Sequence, residues 1–292
     1  MAKYLPQILQ IEQIFFILTD ILEAIKFVEL LRLPLLEIIS LNKIRELVAN
    51  KLETKNIMLH KTKIPNLKVI AFDADDTLFV NEPYFEETEH KFCALMEDYL
   101  SHQGISQELF KIEIANLPLY GYGIKGYILS MIEAAMNISN NTIPVEVIEK
   151  IIQYGKELLE KPIELLDGIE ETLESLKGKY KLVVATKGDL KDQHSKLHRS
   201  GLGHYFHHIE VMSDKQEVDY QKLLGRLDIE AHEFLMIGNS LKSDVLPVLG
   251  IGGYAVHIPF HTTWEHEKIN HTIEHEHFSS FETIAEVVPN LL

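Results

Sequence analysis

The chain reads as an α/β protein: a parallel sheet with helices on both faces, an inserted all-helical unit, and a helical extension at the front. Three observations predict this. Leu67–Phe72 is a short, β-rich apolar run, uncharged after Lys68, that stops at three carboxylates within four residues, Asp73, Asp75 and Asp76. Such a run is a strand buried on both faces. From residue 163 onward, short apolar runs alternate with helical patterns, which means βαβ units and a parallel sheet. Between these two regions, residues 84 to about 160 carry apolar side chains at helical spacing throughout.

Taken in order, residues 1–57 form the extension. Ile8–Leu33 reads as a helix whose apolar surface is broken by Glu12, Asp20, Glu23, Lys26, Glu29 and Arg32; Pro34 ends or kinks it, and a second helix runs from Leu35 to about Leu52. No charge-free run approaches the roughly 20 residues a membrane span needs, and Pro6, Gln7, Gln10 and Glu12 break up what a secretory signal would keep apolar. A wide apolar face needs covering, so this segment is expected to pack on the main body as a hairpin, or to serve as a partner-binding, self-associating or membrane-surface helix. A translation start at Met58 would instead leave residues 1–57 outside the functional unit.

After the acidic tip comes a turn through Asn81-Glu82-Pro83, then the helical insertion, residues 83–162, with helices at Tyr84–Leu100, Gln107–Asn116, Ile124–Met136 and Pro144–Leu159. Gly121, Gly123 and Gly126 mark a break between two of them; no strand precedes these glycines, so they are not a nucleotide fingerprint. The expected core comprises residues 67–82 and 163–292. Asp167-Gly168 opens a helix to Leu176. Strands at Lys181–Ala185, His208–Met212, Phe234–Ile237 and Tyr254–Ile258 alternate with helices at Leu190–Ser200, Val218–Leu227 and one ending at Leu249. Right-handed crossovers bring the C-terminal tips of parallel strands to one edge, where open α/β sheets bind ligands.

Composition narrows the function. With 46% hydrophobic and 25% charged residues the chain has the make-up of an ordinary globular protein. Its lone cysteine, Cys93, rules out an internal disulfide and suits a reducing cytoplasm. A net charge of −16 argues against a nucleic-acid partner, which would need a basic stripe. The same field repels an anionic substrate, so such a substrate requires locally placed cations.

Those cations and their partners fall at strand ends. The first strand delivers Asp73 and Asp75, the second Thr186, the third Lys215, and the fourth Asn239, Ser240 and Asp244. Clustered acids repel unless something compensates, and Mg²⁺ is a hard cation that prefers carboxylate oxygens. A carboxylate nucleophile, a second carboxyl two residues on, a hydroxyl, a lysine and a metal-binding loop suit phosphoryl transfer.

The ordered set resembles the haloacid dehalogenase superfamily in its Mg²⁺-dependent phosphatase branch. Asp73-Ala-Asp-Asp-Thr-Leu is similar to the D-x-D-x-T-L motif. Val183–Thr186 resembles the apolar strand ending in Thr or Ser. Ser213-Asp214-Lys215 with Tyr220, and Gly238-Asn239-Ser240-x-x-x-Asp244, resemble the third and fourth motifs. The resemblance covers about residues 67–258 and implies a Rossmann-like parallel core, a helical cap at 83–162 and a small phosphorylated metabolite as substrate, similar to those of phosphoglycolate and sugar phosphatases. It implies Asp73 as nucleophile, Asp75 as general acid and then base, Thr186, Lys187 and Lys215 as phosphate ligands, and Mg²⁺ on Asp73, the Asp75 carbonyl, Asn239 and Asp244. An acid at position 75 favours a phosphate ester over a halide, which leaves without a proton. Asn239 departs from the usual Asp and removes a charge from the metal loop. The alternatives are phosphomutase or dehalogenase chemistry, or a catalytically weak scaffold working through residues 1–57.

Three finer expectations remain. The Lys187 side chain is placed at the rim, with its backbone N–H toward phosphate. Tyr120, Tyr122 and Lys125 are expected to pack in their loop rather than reach the substrate. The segment His257–His277, with six histidines and four glutamates, reads as a solvated rim rather than a zinc site, with His257 or His261 bordering the active site.

Overall fold

The computed structural model of the chain describes residues 63–292; the expectations for residues 1–57 lie outside the described residues. The first strand is β1 (Val69–Phe72). Its alternating side chains split the core into two layers. Ile70 and Phe72 face one apolar cluster, while Val69 and Ala71 face the other. The first layer is filled from α5 (Ile169–Leu176), α6 (Leu190–Arg199) and the short terminal α9 (Val287–Leu291). The second is filled from α7 (Glu217–Leu227) and α8 (Leu246–Gly250).

The sheet has six parallel strands in the order β3-β2-β1-β4-β5-β6, where β2 is Lys181–Lys187, β3 His208–Met212, β4 Phe234–Gly238, β5 Tyr254–His257 and β6 Phe278–Ser280. Because β1 sits at the centre, the order reverses between it and β4, which opens a crevice at the carboxyl ends of those two strands. Register aligns the tips. Phe72 pairs with Val184 and with Ile237, so Asp73 emerges beside Ala185 and Gly238. The Asp73 N–H donates to the Ile237 carbonyl at 2.9 Å, which fixes its backbone.

The inserted helices are α1 (Glu82–Leu95), α2 (His102–Tyr120), α3 (Ile124–Ile138) and α4 (Val145–Leu159). They bury an apolar cluster of their own around Phe92, Met96, Ile105, Leu109 and Met131. Polar contacts tie them to the rest. Lys125 reaches Asp189 at 2.7 Å, and the Tyr84 hydroxyl donates to Glu164 at 2.7 Å.

Several local features differ from the sequence expectation: α1 stops at Leu95 rather than Leu100, and α2 spans His102–Tyr120 rather than Gln107–Asn116. Helix α1 begins at Glu82 rather than after Pro83, because a proline is tolerated in the first turn, where its missing N–H costs nothing. The Asp76 carboxylate accepts from the Asn81 and Glu82 N–H groups at 2.8 and 3.0 Å and caps that start. A single wide π turn, Leu241–Val245, precedes α8, and Pro247 there cannot donate into a continuous helix. A sixth strand pairs beyond β5. It is three residues of mostly polar sequence, Phe278-Ser279-Ser280, so neither alternation nor an apolar run announces it. Among the described residues, no helix is long and apolar enough to cross a membrane.

Candidate active site

One cavity opens at the strand tips and is closed over by the inserted helices. Asp73, Asp75, Thr186, Lys187, Lys215, Asn239 and Asp244 all line it. The fold thus brings together every residue singled out above for catalysis, phosphate or metal.

The centre is a buried trio. Lys215 follows β3 and is 2% exposed. Its ammonium donates to Asp73 Oδ1 and to Asp244 Oδ1, both at 2.6 Å. Two buried carboxylates facing one ammonium leave an excess negative charge in a place with little water. Burial therefore pushes the Asp73 carboxyl up, to about 7; the Lys215 ammonium opposes this, and Asp244 adds to it. Asp244 Oδ2 accepts from the Ser240 N–H at 3.0 Å, which locks the π turn against β4. Gly238 is required by contact rather than by conformation: a Cβ there would lie 2.2 Å from Asp244 Oδ2.

Asn239 lies on the other side of Asp73. Its amide is assigned with the nitrogen inward, the orientation that satisfies its neighbours. The nitrogen then stands 3.2 Å from Asp73 Oδ2, 3.3 Å from the Asp75 main-chain oxygen and 3.3 Å from the Thr77 hydroxyl. These three neighbours are all oxygens, the set a hard cation takes. Turning the amide over would present its own oxygen to the same point. Among the described residues no three His, Cys, Asp or Glu side chains converge as a ligand group. A cation here would accordingly rest on one or two carboxylates, a main-chain carbonyl, the amide and water, a pattern that fits Mg²⁺ better than zinc.

The Asp75 carboxylate points away from this cluster. It accepts from Lys196 Nζ at 2.6 Å and from Gln193 Nε2 at 2.8 Å. Both partners lie on α6, three residues apart and so on one helix face. Sequence reasoning passed over them, although α6 starts at the tip of β2 and its first turns must flank the crevice. Thr186, 2% exposed, is the penultimate residue of β2 and lines the cavity.

The segment after β5 differs from expectation in its first part. Thr262, Thr263, Trp264 and Glu267 line the cavity, whereas His271 and His275 further on stay exposed, as a solvated rim would be. Glu267 accepts from Lys187, from Ser243 Oγ at 2.6 Å and from the Ser240 hydroxyl. Burial raises the Glu267 carboxyl, but the Lys187 ammonium and these hydroxyls outweigh it and hold the group down at about 2. Lys187 is drawn inward by this pairing instead of standing at the rim. Its ammonium lies 4.2 Å from the Tyr122 ring centroid, and Tyr122 meets Trp264 edge-on at 6.2 Å. Tyr122 thus reaches the cavity, and Tyr120 lines it too. His257 borders the site through a 3.0 Å contact between Nε2 and the Asn239 carbonyl oxygen. Glu267 sits in a polar stretch with other glutamates and histidines on either side, and nothing local marks it as the partner of Lys187.

Residues 67–249, more than half of the chain, match the family of haloacid dehalogenase-like hydrolases. A crystal structure of a haloacid dehalogenase-like family hydrolase from Xanthomonas campestris is 35% identical, covers 77% of this chain and 89% of its own, and superposes with a TM-score of 0.68. Two more distant structures share the fold. A predicted phosphoglycolate phosphatase from Haemophilus somnus is 16% identical, with 77% and 98% of the two chains covered and a TM-score of 0.52. A 2-haloacid dehalogenase from Pseudomonas syringae pv. Tomato is 17% identical, with 76% and 97% covered and a TM-score of 0.53. No curated protein matches the chain.

Proposed function

The chain belongs to the haloacid dehalogenase-like hydrolases, and from that premise we propose that it is a Mg²⁺-dependent phosphatase that hydrolyses a small phosphate monoester through an aspartyl-phosphate. The observation that carries this reading is Asp75. A second carboxyl lies two residues beyond Asp73 in the same cavity and is positioned from the side by Gln193 and Lys196. An alkoxide leaving group needs a proton donor in that place, whereas a halide needs none.

The contacts support the following roles. Lys215 holds Asp73 through Oδ1, which leaves Oδ2 to attack phosphorus. As the new O–P bond forms, the bond from phosphorus to the ester oxygen breaks, and Asp75 gives that oxygen its proton. Asp75, now ionised, takes a proton from water, whose oxygen attacks the phosphorus of the aspartyl-phosphate as the bond from phosphorus to Asp73 Oδ2 breaks. Phosphate departs, and both carboxyls return to their starting state. Thr186 and Lys215 offer donors to the phosphate oxygens, with Lys187 set beside them. Asp73, the Asp75 carbonyl, Asn239 and Asp244 would hold Mg²⁺, which when bound offsets the charge on the phosphate oxygens. The inserted helices limit the cavity to a small substrate and exclude bulk water.

The test is release of free phosphate from p-nitrophenyl phosphate. Turnover is expected to require Mg²⁺, to stop with a chelator, and to fall by about a thousandfold or more in Asp73→Asn. An Asp73→Asn protein that keeps activity within about tenfold of the parent overturns the reading.

A further inference from the structure

The far wall of the cavity is as acidic as its floor, and the proposed chemistry does not use it. Glu82, Glu86 and Glu89 are spaced by four and three residues along α1, so they share one helix face. Glu113 of α2 joins them on the cavity lining. Among the described residues, Glu82, Glu86 and Glu113 make no ion pair and their carboxylates accept no hydrogen bond. The charged groups acting on Glu82 are carboxylates, Glu113 foremost. Burial, reinforced by like charges, pushes Glu113 up to about 8 and Glu82 up to about 7. The group is too dispersed for a metal ion, since no three acids converge as a ligand set among the described residues.

A second observation at the same wall points to a ligand. Tyr127 is 5% exposed and lines the cavity, yet among the described residues its hydroxyl has no hydrogen-bond partner. Its ring packs on Phe85 with centroids 5.1 Å apart, and Glu89, Glu113 and Glu82 all act on it electrostatically. Unpaired carboxylates beside aromatic faces make an environment that favours an organic cation over a neutral or anionic group.

We propose that this wall selects phosphate monoesters whose alcohol portion carries an ammonium group, seated against Glu82, Glu86, Glu113 and the Tyr127 ring. The inference rests on the phosphatase reading for the placement of the phosphate end. The ligand would then lie along the cavity with its anion at Lys215 and its cation at the inserted helices.

The test uses the full chain with Mg²⁺ and inert ω-aminoalkyl phosphonates of two to six carbons, each titrated calorimetrically beside the ω-hydroxyalkyl phosphonate of equal length. At the best length the amine is expected to bind about tenfold tighter than its hydroxyl twin, about 1.4 kcal/mol. Glu113→Gln and, on a more exposed position, Glu86→Gln are each expected to reduce that ratio severalfold. Equal binding of the twins within twofold at every length overturns the proposal, as does a ratio that survives both substitutions. Hydrolysis of p-nitrophenyl phosphate separates the two readings. Amine-selective binding without turnover sinks the phosphatase and keeps the selectivity. Turnover without amine selectivity does the reverse.

Discussion

Replacing Lys215 with methionine removes the cation shared by Asp73 and Asp244 while keeping most of the side-chain volume. At an effective dielectric constant of about 20, each 2.6 Å contact represents roughly 6 kcal/mol of Coulomb attraction. Most of that attraction offsets the cost of burying three charges, so the parent gains little from the trio as a whole. The variant is different, because it keeps two carboxylates, 10% and 1% exposed, with nothing between them. Breaking a buried pair in this way costs about 3–5 kcal/mol. For a folded unit of this size, that lowers the melting temperature by ~6–20 °C. Urea unfolding in the presence of a chelator measures the loss without interference from a bound cation. Adding Asp244→Asn removes one of the two like charges, and the double variant is expected to recover about 1–2 kcal/mol relative to the sum of the single changes. A loss below about 1 kcal/mol for Lys215→Met, or strict additivity in the double variant, would show that the trio is not electrostatically coupled.

Three further outcomes follow from the same geometry. Asp75→Asn is expected to slow hydrolysis of alkyl phosphates at least about tenfold more than that of p-nitrophenyl phosphate, because p-nitrophenolate leaves without a proton; equal losses would remove Asp75 from the acid role. Gly238→Ala places a Cβ 2.2 Å from Asp244 Oδ2, so it should displace that carboxylate, cost about 1–3 kcal/mol in thermal unfolding and abolish phosphate release. Glu267, held at about 2 in the fold, contributes stability that is present above its unfolded value of about 4.5 and is lost as pH falls toward 2. Glu267→Gln should therefore be less stable than the parent by roughly 2–3 kcal/mol at about pH 7, with the gap closing on acidification; a gap independent of pH in unfolding titrations would contradict the pairing with Lys187.

Much of the site was legible because its parts lie at strand ends. A strand buried on both faces must be apolar, so the change from Phe72 to Asp73 marks a tip even in isolation. The same holds at Thr186 and Asn239, whereas Lys215 follows the half-buried edge strand β3; parallel topology obliges all these tips to meet. Gln193, Lys196 and Glu267 escaped because their meaning is relational. On a helix or in a loop they are ordinary polar residues until tertiary packing brings Asp75 and Lys187 against them. The strand Phe278–Ser280 escaped for a related reason, since its edge pairing with β5 supplies what its three residues do not.

The amino-acid sequence by itself determined the alternation of strands and helices, the place of the helical insertion and the four clusters of polar residues at strand tips. Each of these follows from local periodicity and from the demand that buried strands be apolar. The tertiary structure alone decided which charges neutralise one another: Lys215 between two carboxylates, Lys196 against Asp75, Lys187 against Glu267, and the glutamates of the far wall against no cation among the described residues. Charge pairing depends on distances of a few ångströms between residues up to 142 positions apart in the chain, and only the folded arrangement of the sheet and its insertion sets those distances.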